Sequence, residues 1–233
     1  MYHIIQEICR KFTSLQAQGT NIQYFKTQNG TPATRDEKQT KYQKMKNIAI
    51  LASGAGTNAE NIIRYFSNEK KAKVTLVLSN KPQAMVLKRA AALGVDAFFF
   101  DRSQFYTTGE VLMMLRRRET HLVVLAGFLW LVPGDVIGAY RGRIVNIHPA
   151  LLPGFGGKGM YGDRVHRAVL DAGCTESGIT IHYVNEHYDS GDIIFQARCP
   201  VLPGDDADSL AARVHKLEYE HYPRVIEKLV EQS

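Results

Sequence analysis

Asn146 and His148 stand two apart in the stretch RIVNIHPALLPGF, among Ile144, Val145 and Ile147, which belong inside a sheet. Residues i and i+2 of a strand point to one face, so an amide and an imidazole share a buried face where each needs a partner or a task. The amide can donate hydrogens to an oxygen that becomes negative. The imidazole can move a proton near neutral pH, and in that work a carboxylate commonly orients it or tunes its pKa. The polar run Asn185-Glu186-His187-Tyr188-Asp189-Ser190-Gly191-Asp192 follows another apolar strand pattern and is expected at the same end of the sheet. Asp189, before Ser-Gly, is the preferred partner, with Glu186 and Asp192 as rivals. Spacing leaves a second reading equally open: a polar strand end with no chemistry.

Two other loops carry unusual composition. Ser53-Gly54-Ala55-Gly56-Thr57-Asn58, with Ala59, fits the dinucleotide pattern G-x-G-x-x-G/A. That pattern also expects an acid closing the second strand, and here the strand ends Leu78-Ser79-Asn80-Lys81, so NAD is not expected. A phosphate still suits the loop, because glycines let the backbone come close and a helix N-terminus offers free N–H groups. The alternative is a plain tight turn with an N-cap. Leu125-Ala126-Gly127-Phe128-Leu129-Trp130-Leu131-Val132-Pro133 stays apolar past its strand. It suits a flat aromatic ligand, although alone it reads better as packing under the next helix. His148, His166, His182 and His187 lack metalloenzyme spacing, no G-x-S-x-G elbow is present, and no Cys has an activating neighbour. Neither a metal nor covalent catalysis is expected.

The elements that must position these residues alternate. Strands are expected at 48–52, 74–78, 97–100, 122–126, 143–147, 178–184 and 193–199. Helices are expected at 58–66, 83–93, 108–118, 134–140, 163–172 and 207–231. Alternation argues for an α/β fold with a mostly parallel, twisted sheet of about seven strands and helices on both faces. Its N-terminal half is Rossmann-like. The last two strands have no helix between them, so one is expected to pair antiparallel. Ligands of such sheets bind outside the carboxyl ends of the strands, near the switch point in strand order.

The chain has 233 residues, 45% hydrophobic and 22% charged, enough for one soluble domain with a full core. No apolar run approaches the ~18 residues of a membrane span. Glu7, Arg10 and Lys11 interrupt any signal core. Cys9, Cys174 and Cys199 are odd in number and are read as free thiols in a reducing compartment, so the expected location is cytoplasmic. Of the net charge of +6, residues 1–44 carry +4 and the remainder +2. The one tight basic cluster, Arg116-Arg117-Arg118, closes an expected helix, where it complements the dipole. Neither nucleic acid nor membrane is an expected partner. Residues 1–44 are polar and are expected to be a disordered tail or a start upstream of the native one, with 45–233 as a single domain.

Over about residues 46 to 230 these motifs together resemble the phosphoribosylglycinamide formyltransferase family of the formyltransferase superfamily. The resemblance rests on S-G-x-G-T-N after the first strand, L-A-G-F after the fourth and N-I-H-P-A-L-L-P after the fifth. An Asp-x-Gly loop before a strand ending Phe-Gln-Ala completes it. It implies that Asn146, His148 and Asp189 are the catalytic trio. It further implies that Gly56, Thr57 and Asn58 hold a substrate phosphate, and Glu218 the ribose hydroxyls. Leu129, Trp130 and Val132, with Asn185 and Tyr188 from the loop 185–189, correspond to the walls around the folate's pterin ring. Thr180 and His182 match positions lining the site, and Leu152–Pro153 matches a cis peptide. The implied reaction moves a formyl group from 10-formyltetrahydrofolate, a co-substrate, to the amine of glycinamide ribonucleotide, with protonated His148 and Asn146 steadying an oxyanion. The enzyme implied is a monomer or homodimer acting on small molecules without a metal. It is neither a methionyl-tRNA formyltransferase, which needs an added C-terminal domain, nor a formyltetrahydrofolate deformylase, which needs an N-terminal one. The chain departs from the pattern in its longer loop Phe155–Gly162, in Trp130 where a basic residue is common, and in Asp192 where Pro is common.

Overall fold

A computed structural model describes residues 45–232. The expected extension 1–44, and Cys9 with it, lies outside the described residues. The elements run β1 (Lys46–Leu51), α1 (Thr57–Phe66), β2 (Ala72–Ser79), α2 (Met85–Ala92), β3 (Asp96–Phe99), α3 (Arg102–Tyr106) and α4 (Glu110–Arg117). After them come β4 (Thr120–Leu125), α5 (Gly134–Ala139), β5 (Ile144–His148), α6 (Asp163–Asp171), β6 (Glu176–Tyr183), β7 (Ile193–Pro200) and α7 (Ala207–Glu231). The strands form one sheet in the order β3-β2-β1-β4-β5-β6-β7. Neighbours from β3 to β5 pair parallel, and β6 runs against both β5 and β7. The mostly parallel seven-stranded sheet with a late antiparallel strand is therefore present.

Strand periodicity builds a core on each face. Ile48 and Ile50 of β1 pack with α1, α2, α6 and α7, while Ala49 and Leu51 pack on the other side with α3, α4 and α5. A strand buried on both faces reads as a continuous apolar run. In β5, Val145 and Ile147 join the first core and Ile144 the second, so Asn146 and His148 share the second face.

The expected helix 108–118 begins later and is preceded by a turn of helix that the apolar pattern did not suggest. Asp101 caps α3 by accepting from the Gln104 N–H at 2.9 Å, while Gln104 Oε1 accepts from the Asp101 N–H at 2.9 Å. This is a capping box, and its signal is the D-x-x-Q spacing. Helix α7 continues through Pro223, whose missing N–H leaves the Tyr219 carbonyl without its helical donor. Asn61 of α1 supplies a replacement, donating from Nδ2 at 2.9 Å.

One turn on, the fully buried Tyr222 hydroxyl is shared between the carbonyls of Leu125 at 2.9 Å and Val145 at 3.2 Å. It fastens α7 to β4 and β5 one residue before Asn146. Tyr222→Phe leaves that polar point unsatisfied, at an expected cost of about 1–3 kcal/mol. The check is urea unfolding, where the midpoint falls with the m-value unchanged.

Candidate active site

Asn146 and His182 face each other across the β5–β6 pair. The Tyr183 carbonyl, 2.8 Å from His182 Nδ1, can only accept, so Nδ1 carries the hydrogen. His182 Nε2 is then left to accept from Asn146 Nδ2 at 3.1 Å. The second hydrogen of that amide leans towards Asp189 Oδ1 at 3.4 Å, too long for a strong bond and available to a ligand oxygen. His148 follows the same logic. Its Nε2 lies 2.8 Å from the Phe155 carbonyl and holds a hydrogen, so in the neutral ring the Nδ1 lone pair faces Asp189 Oδ2 at 3.5 Å. Of the three candidate carboxylates, Asp189 is the one brought to the pair.

The loop bearing Asp189 does not start at the end of the sheet where His148 lies, the end expected for it above. Because β6 runs against β5, Tyr183 lies opposite Val145, and residues 184–192 double back over the face carrying Asn146 and His148. Asp189 makes that turn with φ of 52°, in the left-handed region. The loop after β5 meets it, and the Gly157 N–H donates to Asp189 Oδ2 at 2.9 Å. A side chain at Gly156 would place Cβ 2.5 Å from Leu152 Cδ2 and 3.2 Å from Asp189 Cβ. A larger residue there would have to displace the Leu152 methyl and press on Asp189, so close approach favours glycine. Thr180 latches the same loop, accepting from the Leu152 N–H at 2.9 Å and donating to the Ala150 carbonyl at 2.7 Å. The Leu152–Pro153 peptide is cis, as the resemblance implied.

Burial lowers the His148 pKa, and the Asp189 carboxylate and the Phe155 carbonyl oppose this without cancelling it. In the unliganded site desolvation thus outweighs the carboxylate, whereas the resemblance implied a protonated His148 only beside an oxyanion. Burial pushes Asp189 up, but the His182 imidazole, the His148 ring and the Gly157 amide outweigh it and hold the carboxyl below its ordinary value.

Gly56, at φ 77°, sits at the N-cap of α1, and no side chain caps that end. The first helical backbone bond is Glu60 N–H to Gly56 O, leaving the Thr57, Asn58 and Ala59 amides without helical partners. Of the two readings of the glycine loop, an anion cradle fits this open end better than a capped turn. A Cβ at Gly56 would stand 2.4 Å from Val86 Cβ, so the loop is pressed against α2. Asn58 does not cap the helix. Its Nδ2 donates to Glu218 Oε2 at 2.9 Å, across 160 residues of chain, and its Oδ1 is buried without a partner. Glu218, 4% exposed, also meets His215 Nδ1 at 2.6 Å, a bond that raises the His215 pKa against burial.

Past β4, Trp130 joins Phe100, Phe105, Tyr106 and Phe128 in an aromatic cluster. The Arg102 guanidinium lies over the rings of Tyr106 at 5.2 Å and Trp130 at 5.5 Å. Leu129 and Trp130 are half-buried, whereas Val132 belongs to the core and supports this wall from beneath. Tyr188 is exposed and close enough to add to the rise that burial gives the Tyr106 phenol. Asn185 accepts from the His187 N–H at 3.0 Å and from Ser190 Oγ at 3.1 Å, which shapes the loop.

Sequence reasoning missed the backbone groups of Phe155 and Gly157, whose only signal was the glycine pair in Phe155-Gly156-Gly157. It also missed His215, three residues before Glu218 on one helix face, and Arg102 over Trp130. Among the described residues no cluster of three or more metal-ligating side chains occurs, Cys174 and Cys199 are free, and no helix is long and apolar enough to cross a membrane.

A family model described as formyl transferase matches residues 46–226. The chain is 37% identical over 218 residues to a chloroplastic phosphoribosylglycinamide formyltransferase of Vigna unguiculata, a match covering 89% of this chain and 69% of that protein. It is 38% identical over 195 residues to the trifunctional purine biosynthetic protein adenosine-3 of Drosophila melanogaster, covering 81% of this chain but only 14% of that longer protein. Among solved structures, glycinamide ribonucleotide transformylase 1 from Symbiobacterium toebii aligns with a TM-score of 0.74 at 35% identity, covering 81% of this chain and 89% of that one.

The pair at His148 and Asp189 has a titration signature. His148 is expected to titrate below 6.5 by imidazole NMR, and lower still in Asp189→Asn, since the carboxylate is what opposes burial. With the folded pKa depressed, the unfolded chain binds more protons. This contribution to stability is therefore lost as pH falls from about 6.5 towards the folded pKa. A rise of the His148 midpoint in Asp189→Asn would contradict the assignment.

Proposed function

The chain belongs to the formyl transferase family, and on that premise we propose that it transfers the formyl group of 10-formyltetrahydrofolate to the amine of glycinamide ribonucleotide, a step of purine synthesis. What supports the reading most is one constellation: a buried imidazole with a half-buried amide and carboxylate, together with an open helix start whose Asn58 bonds the buried Glu218. The amine nitrogen attacks the formyl carbon, a C–N bond forms, and the carbonyl oxygen becomes an oxyanion. Asn146 donates its free amide hydrogen to that oxygen, and His148 can donate to it only after its ring has taken up a second proton. A negative charge arriving beside a neutral imidazole raises its pKa. The proton leaving the attacking amine therefore passes to the His148–Asp189 pair, which was short of one. Collapse of the tetrahedral intermediate breaks the bond to the folate nitrogen, which takes up that proton.

In this reading the amides of Gly56, Thr57 and Asn58 cradle the phosphate, and Glu218 accepts from the ribose hydroxyls. Leu129, Trp130, Asn185 and Tyr188 line the folate cleft over Val132, while His182 orients Asn146 and Thr180 holds the loop after β5. The enzyme works on two small molecules, as a monomer or homodimer, with no nucleic acid or membrane as partner. We place it in the cytoplasm, although a plant relative is named as chloroplastic.

Purified protein given both substrates is expected to release tetrahydrofolate and the formylated amine. Release as free formate, or no turnover, would overturn the reading. Asn146→Ala and Asp189→Asn are each expected to lower kcat by about a hundredfold or more, with unfolding midpoints near that of the parent. Parent rates in Asp189→Asn would remove Asp189 from the mechanism. Residues 1–44 lie outside the proposed catalytic domain, so their deletion leaves kcat and both KM values unchanged. A matching loss of activity in a folded truncation would move the domain start upstream.

A further inference from the structure

Ser53 is 2% exposed and carries none of the roles above. It follows β1 where the strand order departs in two directions, with β2 on one side and β4 on the other. Its backbone N–H donates to the Gly127 carbonyl at 3.0 Å. Its hydroxyl donates to Asn80 Oδ1 at 2.7 Å and accepts from the Leu129 N–H at 3.0 Å. A hydroxyl has one hydrogen, so the bond to Asn80, itself 7% exposed, fixes the oxygen as the acceptor for Leu129. The site is closed to water, and each group left unpaired there would cost its desolvation.

The two loops joined by this oxygen are the ones assigned to different substrates. Ser53 opens the glycine loop that runs to Asn58, and Leu129 stands beside Trp130 in the aromatic wall. We propose that Ser53 is a positioning residue that couples the two substrate sites, so that a ligand in the glycine loop favours binding in the folate cleft and the reverse. The inference rests on the proposed function. Its physical basis is shared stiffness: the bond is already made without ligand, so a ligand that quiets one loop quiets the other through it, and the second ligand has less motion left to still. Such coupling is reciprocal in binding free energy.

Tetrahydrofolate has no formyl group to transfer to glycinamide ribonucleotide, so calorimetry can measure each Kd with and without the other ligand free of turnover. In the parent protein the presence of one ligand is expected to tighten the other by about fivefold or more. In Ser53→Ala that factor falls towards one while both ligands still bind, and in Ser53→Thr, which keeps the hydroxyl, it is retained. A purely structural serine would lower stability and leave the factor unchanged. Should Ser53→Ala not fold, amide exchange on the parent protein decides: glycinamide ribonucleotide alone is expected to slow exchange of the Leu129 amide. Independent binding in the parent, an undiminished factor in Ser53→Ala, or unaltered Leu129 exchange overturns the coupling. Failure of either ligand to bind would instead defeat the functional reading beneath it.

Discussion

A lone pair facing a carboxylate inside a protein is an unfavourable arrangement that a single proton would convert into an ion pair. His148 Nδ1 and Asp189 Oδ2 stand in this relation at 3.5 Å, the imidazole 3% exposed. Burial withholds the proton, because a charged imidazole there loses more hydration than Asp189 returns. The surroundings must therefore hold both rings and carboxylate without it. The Phe155 carbonyl fixes the tautomer of His148, and the Gly157 amide takes one carboxylate oxygen. The other oxygen lies towards Asn146 and His182. The result is a proton acceptor whose affinity rises when negative charge develops nearby, which is the property acyl transfer to an amine requires.

The sheet supplies the place for this arrangement by reversing one strand. The parallel strands before it are covered by helices on both faces, whereas the even-numbered face of β5 and β6 is met by loops at Asn146, His148, Thr180 and His182. Backbone in loops has free N–H and C=O groups to offer, while helices have spent theirs. The positive φ values of Phe155 and Asp189, 56° and 52°, occur where those two loops turn towards each other. Backbone cost is accepted here to aim a carbonyl at one ring and a carboxylate at the same ring.

How far the sequence discloses this depends on the range of each interaction. Alternation in β5 revealed that Asn146 and His148 share a buried face, because a period of two is local. The limits of α7 were legible as 207–231, and the sheet followed from alternating elements. The choice of Asp189 over Glu186 and Asp192 was not decided by spacing, since all three occupy one short loop and only its path over β5 separates them. Thr180 and His182 came from resemblance, and their reasons lie in register: Asn146 pairs with His182 and His148 with Thr180. Backbone partners such as the Phe155 carbonyl leave almost no mark in side-chain identity. The capping box that starts α3 was legible in Asp101 and Gln104, but the apolar period drew attention to the following helix instead.

The missing acid at the end of β2 is explained by the same economy of long-range contacts. In a dinucleotide fold that acid faces the ligand and holds a ribose. Here Asn80 points inward, and its oxygen accepts from Ser53, so the position serves the protein's own loops. The carboxylate facing the glycine loop arrives from the other end of the chain, as Glu218 on α7, through Asn58. Helix α7 can deliver it because Tyr222, four residues on and so on nearly the same face, is bonded to the carbonyls of β4 and β5. A glycine loop of common form is thus paired with an acid from a different element. Under the proposed function, that exchange adapts a dinucleotide-like strand order to a mononucleotide carrying an amine.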